Sequence, residues 1–368
     1  MDGFIENKGP GGDFGDRDVE GYRLDFRWDI TDSLAFDYAY DKSDFDYYNT
    51  QYQHVIPRSP SGSQADLVSA QERSVYSDTR QKSVGTVTPY EQSSTDIEGH
   101  AWTLTQDFDS FQIKYIGAYR ELNDKSYADL GGGVPLADGE TADSGLTFRV
   151  DSNEYCGQAA EFVMGRGNCL PLTYPKISQE QTSHELQISG DLFESRINYI
   201  VGAYYFTEEA QEDNGPMHHQ LSGPINIDIP LLGDILKSSI RAVNMLEQVY
   251  DIENDAKAFF GQFTWTPPIL EDRLQLTFGA RRSEDTRYTK KFQRDQTIAE
   301  TPLGPIDVSF AQCNSILDGD CRNFDNIEAK QEFTNDSFSF VAEYDLTDST
   351  NIYAKRVEAY KSGGFNTR

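Results

Sequence analysis

Polar and apolar residues alternate with a period of two along much of this chain. The stretch from Gly21 to Asp41, GYRLDFRWDITDSLAFDYAYD, shows it most clearly. Tyr22, Leu24, Phe26, Trp28 and Ile30 alternate with Arg23, Asp25, Arg27 and Asp29. After Thr31-Asp32-Ser33 the alternation resumes, with Leu34, Phe36, Tyr38 and Tyr40 against Ala35, Asp37, Ala39 and Asp41. Successive side chains of a strand point to opposite faces. The pattern therefore predicts an antiparallel hairpin with one aromatic face and one face carrying charges of both signs.

Four more strand pairs follow. Ile97 to Gln106 and Phe111 to Arg120 flank a turn at Asp107 to Ser110. Ser183 to Ser189 and Ser195 to Phe206 flank Gly190 to Glu194. Ala256 to Thr266 and Arg273 to Arg282 flank Pro267 to Asp272. Ser337 to Leu346 and Asn351 to Lys361 flank Thr347 to Thr350. Short polar turns between alternating runs are the hairpin signal. The turns recur roughly every 80 residues, and the links between hairpins run to about 45–60 residues, far longer than a compact domain uses. Tight turns at one end and long loops at the other are the asymmetry of transmembrane β-barrels. Strands of about 10–12 residues fit a tilted bilayer crossing and exceed the usual soluble strand. The one candidate helix is Leu231 to Leu246, LLGDILKSSIRAVNML, where apolar residues fall near helical spacing inside a long loop.

Composition refines this picture. With 61 Asp+Glu against 32 Lys+Arg in 368 residues, the formal charge is −29. Such a chain lacks the basic surface that phosphate neutralisation requires, so nucleic acid is not its partner. No run of 18 apolar residues exists, which excludes a membrane-spanning helix. The mean hydropathy of −0.62 does not bear on a barrel, whose strands show lipid only every second residue. The N-terminus, MDGFIENKGPGGDFGD, has neither the basic nor the apolar region of a signal peptide. The three tryptophans, Trp28, Trp102 and Trp265, each stand shortly before a tight turn, on the strand running into it. That placement suits one girdle at a membrane interface, where amphipathic rings gather; the alternative is three core tryptophans of a β-sandwich. Cys156 with Cys169 and Cys313 with Cys321 form two close pairs in loop-like sequence. They read as two disulfides stapling loops in an oxidising compartment.

If the aromatic set faces outward, the opposite set includes Arg23, Asp25, Arg27, Asp29, Asp37, Asp41, Lys114, Arg273 and Arg281. Charges at that density line a wet lumen or meet a polar partner, because a dry core would exact their full desolvation cost. A half-exposed soluble sheet shares this feature, so loop lengths and tryptophans separate the two readings. No metal site is expected. His218-His219 is only a dipeptide, and Asp318, Asp320, Asn323 and Asp325 lack the Gly and terminal Glu of a calcium loop. No nucleophile elbow, HExxH, phosphate loop or dinucleotide fingerprint occurs, so the chain is not expected to be an enzyme.

SHELQISG followed by INYIVGAYYFTEE, then FFGQFTWTP, LQLTFGARRSEDTR and LTDSTNIYAKRVEAYKSGGFN, resembles the barrel half of a TonB-dependent outer-membrane receptor. The more specific pieces are Phe278-Gly279-Ala280-Arg281 and Lys361-Ser362-Gly363-Gly364-Phe365-Asn366. The resemblance implies an all-β fold: about ten strands of an antiparallel transmembrane barrel that numbers 22 in the family, with residues 19–368 in the barrel and 1–18 as a linker. It implies import of a scarce ligand such as a ferric siderophore, cobalamin or a carbohydrate, from the outer membrane of a Gram-negative bacterium. The implied partners are outer-membrane lipid or lipopolysaccharide, the small-molecule ligand (an iron chelate, for instance), and the TonB–ExbB–ExbD complex, reached through a plug domain. No cofactor is implied. The chain shows no plug, no TonB-binding segment and no aromatic-ended last strand, and it reads as an internal fragment of a longer receptor. A passive porin-like barrel and a secreted β-rich binding protein are the alternatives.

Overall fold

In a computed structural model of the chain, residues 1–8, 11–50, 79–80, 82–84, 92–129, 172–173, 175–222, 241–301, 304–307, 314 and 323–366 are described. Ten antiparallel strands form its main sheet, and each pairs with its neighbour in sequence. They are β1 (Arg17–Thr31), β2 (Leu34–Tyr47), β3 (Ser93–Asp107), β4 (Phe111–Lys125), β5 (Lys176–Leu192), β6 (Ile197–Ser222), β7 (Arg241–Trp265), β8 (Leu274–Thr301), β9 (Phe324–Thr347) and β10 (Thr350–Val357). A short strand, Gly304–Asp307, pairs back on the end of β8. The result is an up-and-down arc of barrel wall with β1 and β10 at its edges. The five expected hairpins are all present.

The strands are longer than alternation alone predicts. β1 to β4 have 14 or 15 residues, whereas β6, β7, β8 and β9 have 26, 25, 28 and 24. Past their aromatic halves the apolar residues no longer alternate regularly, so the period of two fades while the backbone ladder continues. Two connections expected to be long loops are therefore shorter, running from Ser222 to Arg241 and from Thr301 to Phe324. The candidate helix is corrected in part: Arg241 to Leu246 open β7, with Arg241 opposite Glu300 and Leu246 opposite both Met217 and Asp295. Residues 231–240 lie outside the described residues. Short apolar runs do not by themselves distinguish helix from strand; here ladders on both sides satisfy the backbone. The last strand stops at Val357 rather than Lys361.

The register shows what divides the two faces. On the first hairpin Leu24, Phe26 and Trp28 lie opposite Tyr40, Tyr38 and Phe36, while Arg23 and Arg27 lie opposite Asp41 and Asp37. The aromatic face continues through Trp102 and Leu104 on β3, Tyr115 on β4, Leu186 on β5, Val201 and Tyr205 on β6, Phe259 and Phe263 on β7, Phe278 on β8 and Phe340 on β9. Many of these large side chains are exposed, as a membrane-facing band requires and a soluble sheet avoids.

Close approaches fix the wall locally. Trp102 lies directly opposite Gly117, and its indole covers that glycine so closely that a Cβ there would meet Trp102 Cε2 at 2.2 Å. Gly117→Val is expected to destabilise the sheet by about 1–3 kcal/mol, as overpacking does. Urea unfolding in detergent, followed by tryptophan emission, measures it; an unshifted midpoint would remove the packing role assigned to Gly117.

Candidate functional site

The charged face is built by β1 to β4. Asp25 and Asp29 lie opposite Ala39 and Ala35, so their neighbours across the ladder are small. Arg23 turns along its own strand to Asp25, Nη2 to Oδ1 2.8 Å. Arg27 reaches Asp29 at 3.1 Å and crosses to Asp37 at 3.2 Å. Asp41 is held at 2.6 Å by Arg120, which comes from β4, two strands away. Gly99 stands between them in the register; a Cβ there would lie 2.9 Å from Asp41 Oδ1. The missing side chain is what lets the guanidinium cross a whole strand. Sequence reading did not single out Gly99 or Arg120, because the signal is a three-strand register rather than a motif.

Of the remaining candidates, Lys114 shares this face, between Thr105 and Gln187. Arg281 lies over the rings of Tyr204 and Phe260, at 5.7 and 5.8 Å, and donates to Ser283 Oγ at 3.1 Å. Arg273 is drawn to the turn end of the wall, donating to the Leu346 carbonyl at 3.3 Å and lying 3.4 Å from Glu271. The structure thus joins Arg27 to Asp29 and Asp37, and Arg23 to Asp25, while Lys114, Arg273 and Arg281 stand apart from that cluster.

On the aromatic face, Trp28 and Trp265 sit near the turn ends of β1 and β7. Trp102 lies deeper, five residues from Asp107 at its strand's end. Two histidines join the rings. The Tyr38 hydroxyl and His100 Nδ1 are 2.8 Å apart, as are the Tyr115 hydroxyl and His184 Nδ1. His184 stacks between Tyr115 and Tyr205, with ring centroids at 6.0 and 6.5 Å. Directly above runs a row of neighbouring glutamates, one per strand: Glu98, Glu121, Glu180, Glu209 and Glu253. Such a row bounds the apolar band, since like charges side by side belong in water. It lies about ten residues from the turns, the length that crosses a bilayer at a tilt.

Close to the level of this row, on the opposite face, the long strands carry a second polar region. Arg287 binds Asp285 at 3.0 Å, the carbonyls of Asp255 and Thr286 at 3.2 and 3.1 Å, and Ser362 Oγ at 2.7 Å. Ser362 belongs to the KSGGFN stretch, which leaves the sheet edge after β10 and lies back over the charged face of β8 and β9. Gly363 packs so near the Phe333 ring that a Cβ would meet it at 2.6 Å. Further up, buried Lys291 places Nζ over the rings of Phe324 and Tyr250, at 4.2 and 5.5 Å.

Cys156, Cys169, Cys313 and Cys321, the four disulfide candidates, lie outside the described residues, as do Asp318 and Asp320. His218 and His219 fall within β6, and Asn323 Oδ1 accepts from the Asp295 backbone N–H at 2.6 Å. Among the described residues no three His, Cys, Asp or Glu side chains converge as a metal site.

An up-and-down antiparallel wall with an aromatic face, a charged face and strands that overshoot the bilayer is the architecture of a membrane-spanning receptor barrel. The family model for the TonB-dependent receptor-like β-barrel matches residues 27–367, and the chain belongs to that family. The ferric yersiniabactin uptake receptor FyuA from Yersinia pestis has a similar fold, at 13% sequence identity and a TM-score of 0.56, with all of this chain covered and 42% of FyuA. The ferric-catecholate import receptor Fiu from E. coli K12, in its open form, aligns at 12% identity and a TM-score of 0.49, covering 96% of this chain and 48% of Fiu. This chain therefore spans less than half the length of either receptor. No curated protein matches it.

Two outcomes test the site. In a double-mutant cycle of Asp41→Asn and Arg120→Gln, the pair is expected to couple by about 0.2–1 kcal/mol at low salt, the range of exposed ion pairs; zero coupling would separate the two residues. Burial pushes the Lys291 ammonium below its ordinary 10.5. In the alkaline window between the folded and unfolded values, the unfolded chain then binds more protons, so stability rises with pH. Hydrogen exchange of β8 amides should slow as pH climbs through that window, after correction for intrinsic exchange, and Lys291→Met should abolish the trend.

Proposed function

We propose that this chain is the ligand-capturing wall of a TonB-coupled importer in a Gram-negative outer membrane, with residues 19–368 as barrel and 1–18 as the connection into it. The aromatic face meets lipid. Trp28, Trp102 and Trp265 lie toward the periplasmic side, and the glutamate row meets the outer headgroups. The charged face, with Arg23, Asp25, Arg27, Asp29, Asp37, Asp41, Lys114, Arg273 and Arg281, turns to the lumen and contacts the plug through which TonB acts. The observation that carries this reading is the overshoot of β6 to β9. β6, β7 and β8 rise about 12–13 residues past the level of the glutamate row, or roughly 40 Å of strand at 3.3 Å per residue, and β9 about half as far. A passive pore has no need of so tall a vestibule, whereas a receptor that captures a bulky scarce ligand does.

The ligand class is a ferric siderophore, supported by the fold shared with a ferric yersiniabactin receptor. Surface pairs such as Arg27–Asp37 are worth little in isolation, so they are readily exchanged for contacts with a polar plug. The test is uptake of radiolabelled ferric siderophores by cells carrying the full-length receptor, with and without TonB. Uptake is expected to vanish without TonB. TonB-independent flux of small solutes would favour the porin-like reading instead, and no ferric-siderophore uptake alongside TonB-dependent glycan or cobalamin uptake would replace the ligand class alone.

A further inference from the structure

On the charged face most arginines are already engaged. Arg23, Arg27, Arg120 and Arg287 each bind a carboxylate. Arg281 and Lys114 differ: among the described residues neither lies within ion-pair distance of a carboxylate. The two share one level of the wall. Lys114, Gln187, Gly202, Phe260 and Arg281 follow one another across β4 to β8 as register partners. Gly202 shapes the middle of that row. A Cβ there would run into the Phe260 ring, so the bare backbone lets the ring lie across β6. Arg281 covers Tyr204 and Phe260, at 5.7 and 5.8 Å from the ring centroids. Its Nε donates to Ser283 Oγ at 3.1 Å, and among the described residues both Nη groups stay without a partner. Glu185, the register partner of Tyr204, accepts from Gln187 Nε2 instead.

The depth of this group matters. Arg281 lies seven residues from Tyr288, which shares the level of the glutamate row, and seven from Leu274, where β8 begins. It stands midway down the membrane-thick part of the wall, beneath the tall vestibule. A wall that hands a ligand onward needs contacts strong enough to admit it and weak enough to let it leave. An exposed guanidinium lying on two rings is such a contact. It offers charge and N–H donors to an anionic oxygen, and flat apolar surface to a ring beside that oxygen. Arg120 or Arg287 would first have to give up a carboxylate.

We propose that Arg281, with Tyr204, Phe260 and Lys114, is a stepping site on the passage through the barrel, and that it takes anionic, ring-bearing ferric chelates rather than neutral ones. The site deepens the siderophore reading above and rests on it. Cells carrying the full-length receptor are given radiolabelled iron as a tris-catecholate chelate, which is anionic, and as a tris-hydroxamate chelate, which is neutral. Transport is read as chelate imported with TonB per chelate bound at the surface of cells without TonB. The catecholate is expected to be imported. Arg281→Gln and the double variant Arg281→Gln/Lys114→Gln are expected to lower its ratio, the double variant about tenfold, while Arg281→Lys, which keeps the charge, retains most of it. Heat-modifiable mobility shows that each variant is folded. Catecholate import with an unchanged ratio in folded variants overturns the site alone. Import of the neutral chelate only overturns the charge assignment. Variants that instead leak small solutes without TonB assign Arg281 to holding the plug and overturn the passage role. A wild type that imports neither chelate overturns the siderophore reading, and the stepping site with it.

Discussion

A bilayer offers no partner for an unpaired backbone amide, so each strand that crosses it must satisfy its N–H and C=O groups on its neighbours. That constraint orders the rest of this chain. It explains why the ten main strands pair strictly in sequence order and why Arg241 to Leu246, despite helical spacing, lie in a ladder between β6 and β8. With the backbone satisfied by neighbouring strands, side chains are free to differ between faces. One face can then be aromatic enough to meet lipid while the other holds arginine and aspartate.

The two faces solve different problems with the same device, a residue without a side chain. On the charged face Gly99 lets Arg120 reach Asp41 across a strand. On the aromatic face Gly117 lets the Trp102 ring lie flat on the wall. Gly261 beside Ala280 leaves a groove rather than a filled surface. In each case the glycine matters for the volume it omits. Further up, Gly363 allows the segment after β10 to lie against Phe333 while Arg287 ties Ser362 to the wall.

Function follows from height as much as from chemistry. Below the glutamate row the wall has the thickness of a membrane; above it, β6, β7 and β8 continue as a tall sheet with β9 about half as high. A barrel that only held open a channel could end near the headgroups. In the proposed orientation this wall extends into the medium, where it carries a buried lysine between two rings, above an arginine-centred cluster near the level of the row. The charged face beneath consists of exposed pairs that cost little to rearrange, which suits the plug contact proposed for it.

Much of this was written in the sequence. The alternation around Trp28, the short turns near Ser33, Ser110, Glu194, Asp272 and Ser349, and the separation of aromatic from charged residues all depend on neighbours along the chain. The KSGGFN stretch was legible as a family feature, but its path over the charged face was not. The extended halves of β6 to β9 escaped notice because, once both faces are wet, nothing in the residue order marks a strand. By itself the sequence determined the hairpins, their faces and the kind of membrane wall they make, since those rest on a local period of two. Only the tertiary structure decided which residues became neighbours across strands: Arg120 with Asp41, the glutamates as one row, and Phe263 and Phe278 with Phe340 around a groove. The reason is that register between strands sums contributions from whole ladders, and no short stretch of sequence records that sum.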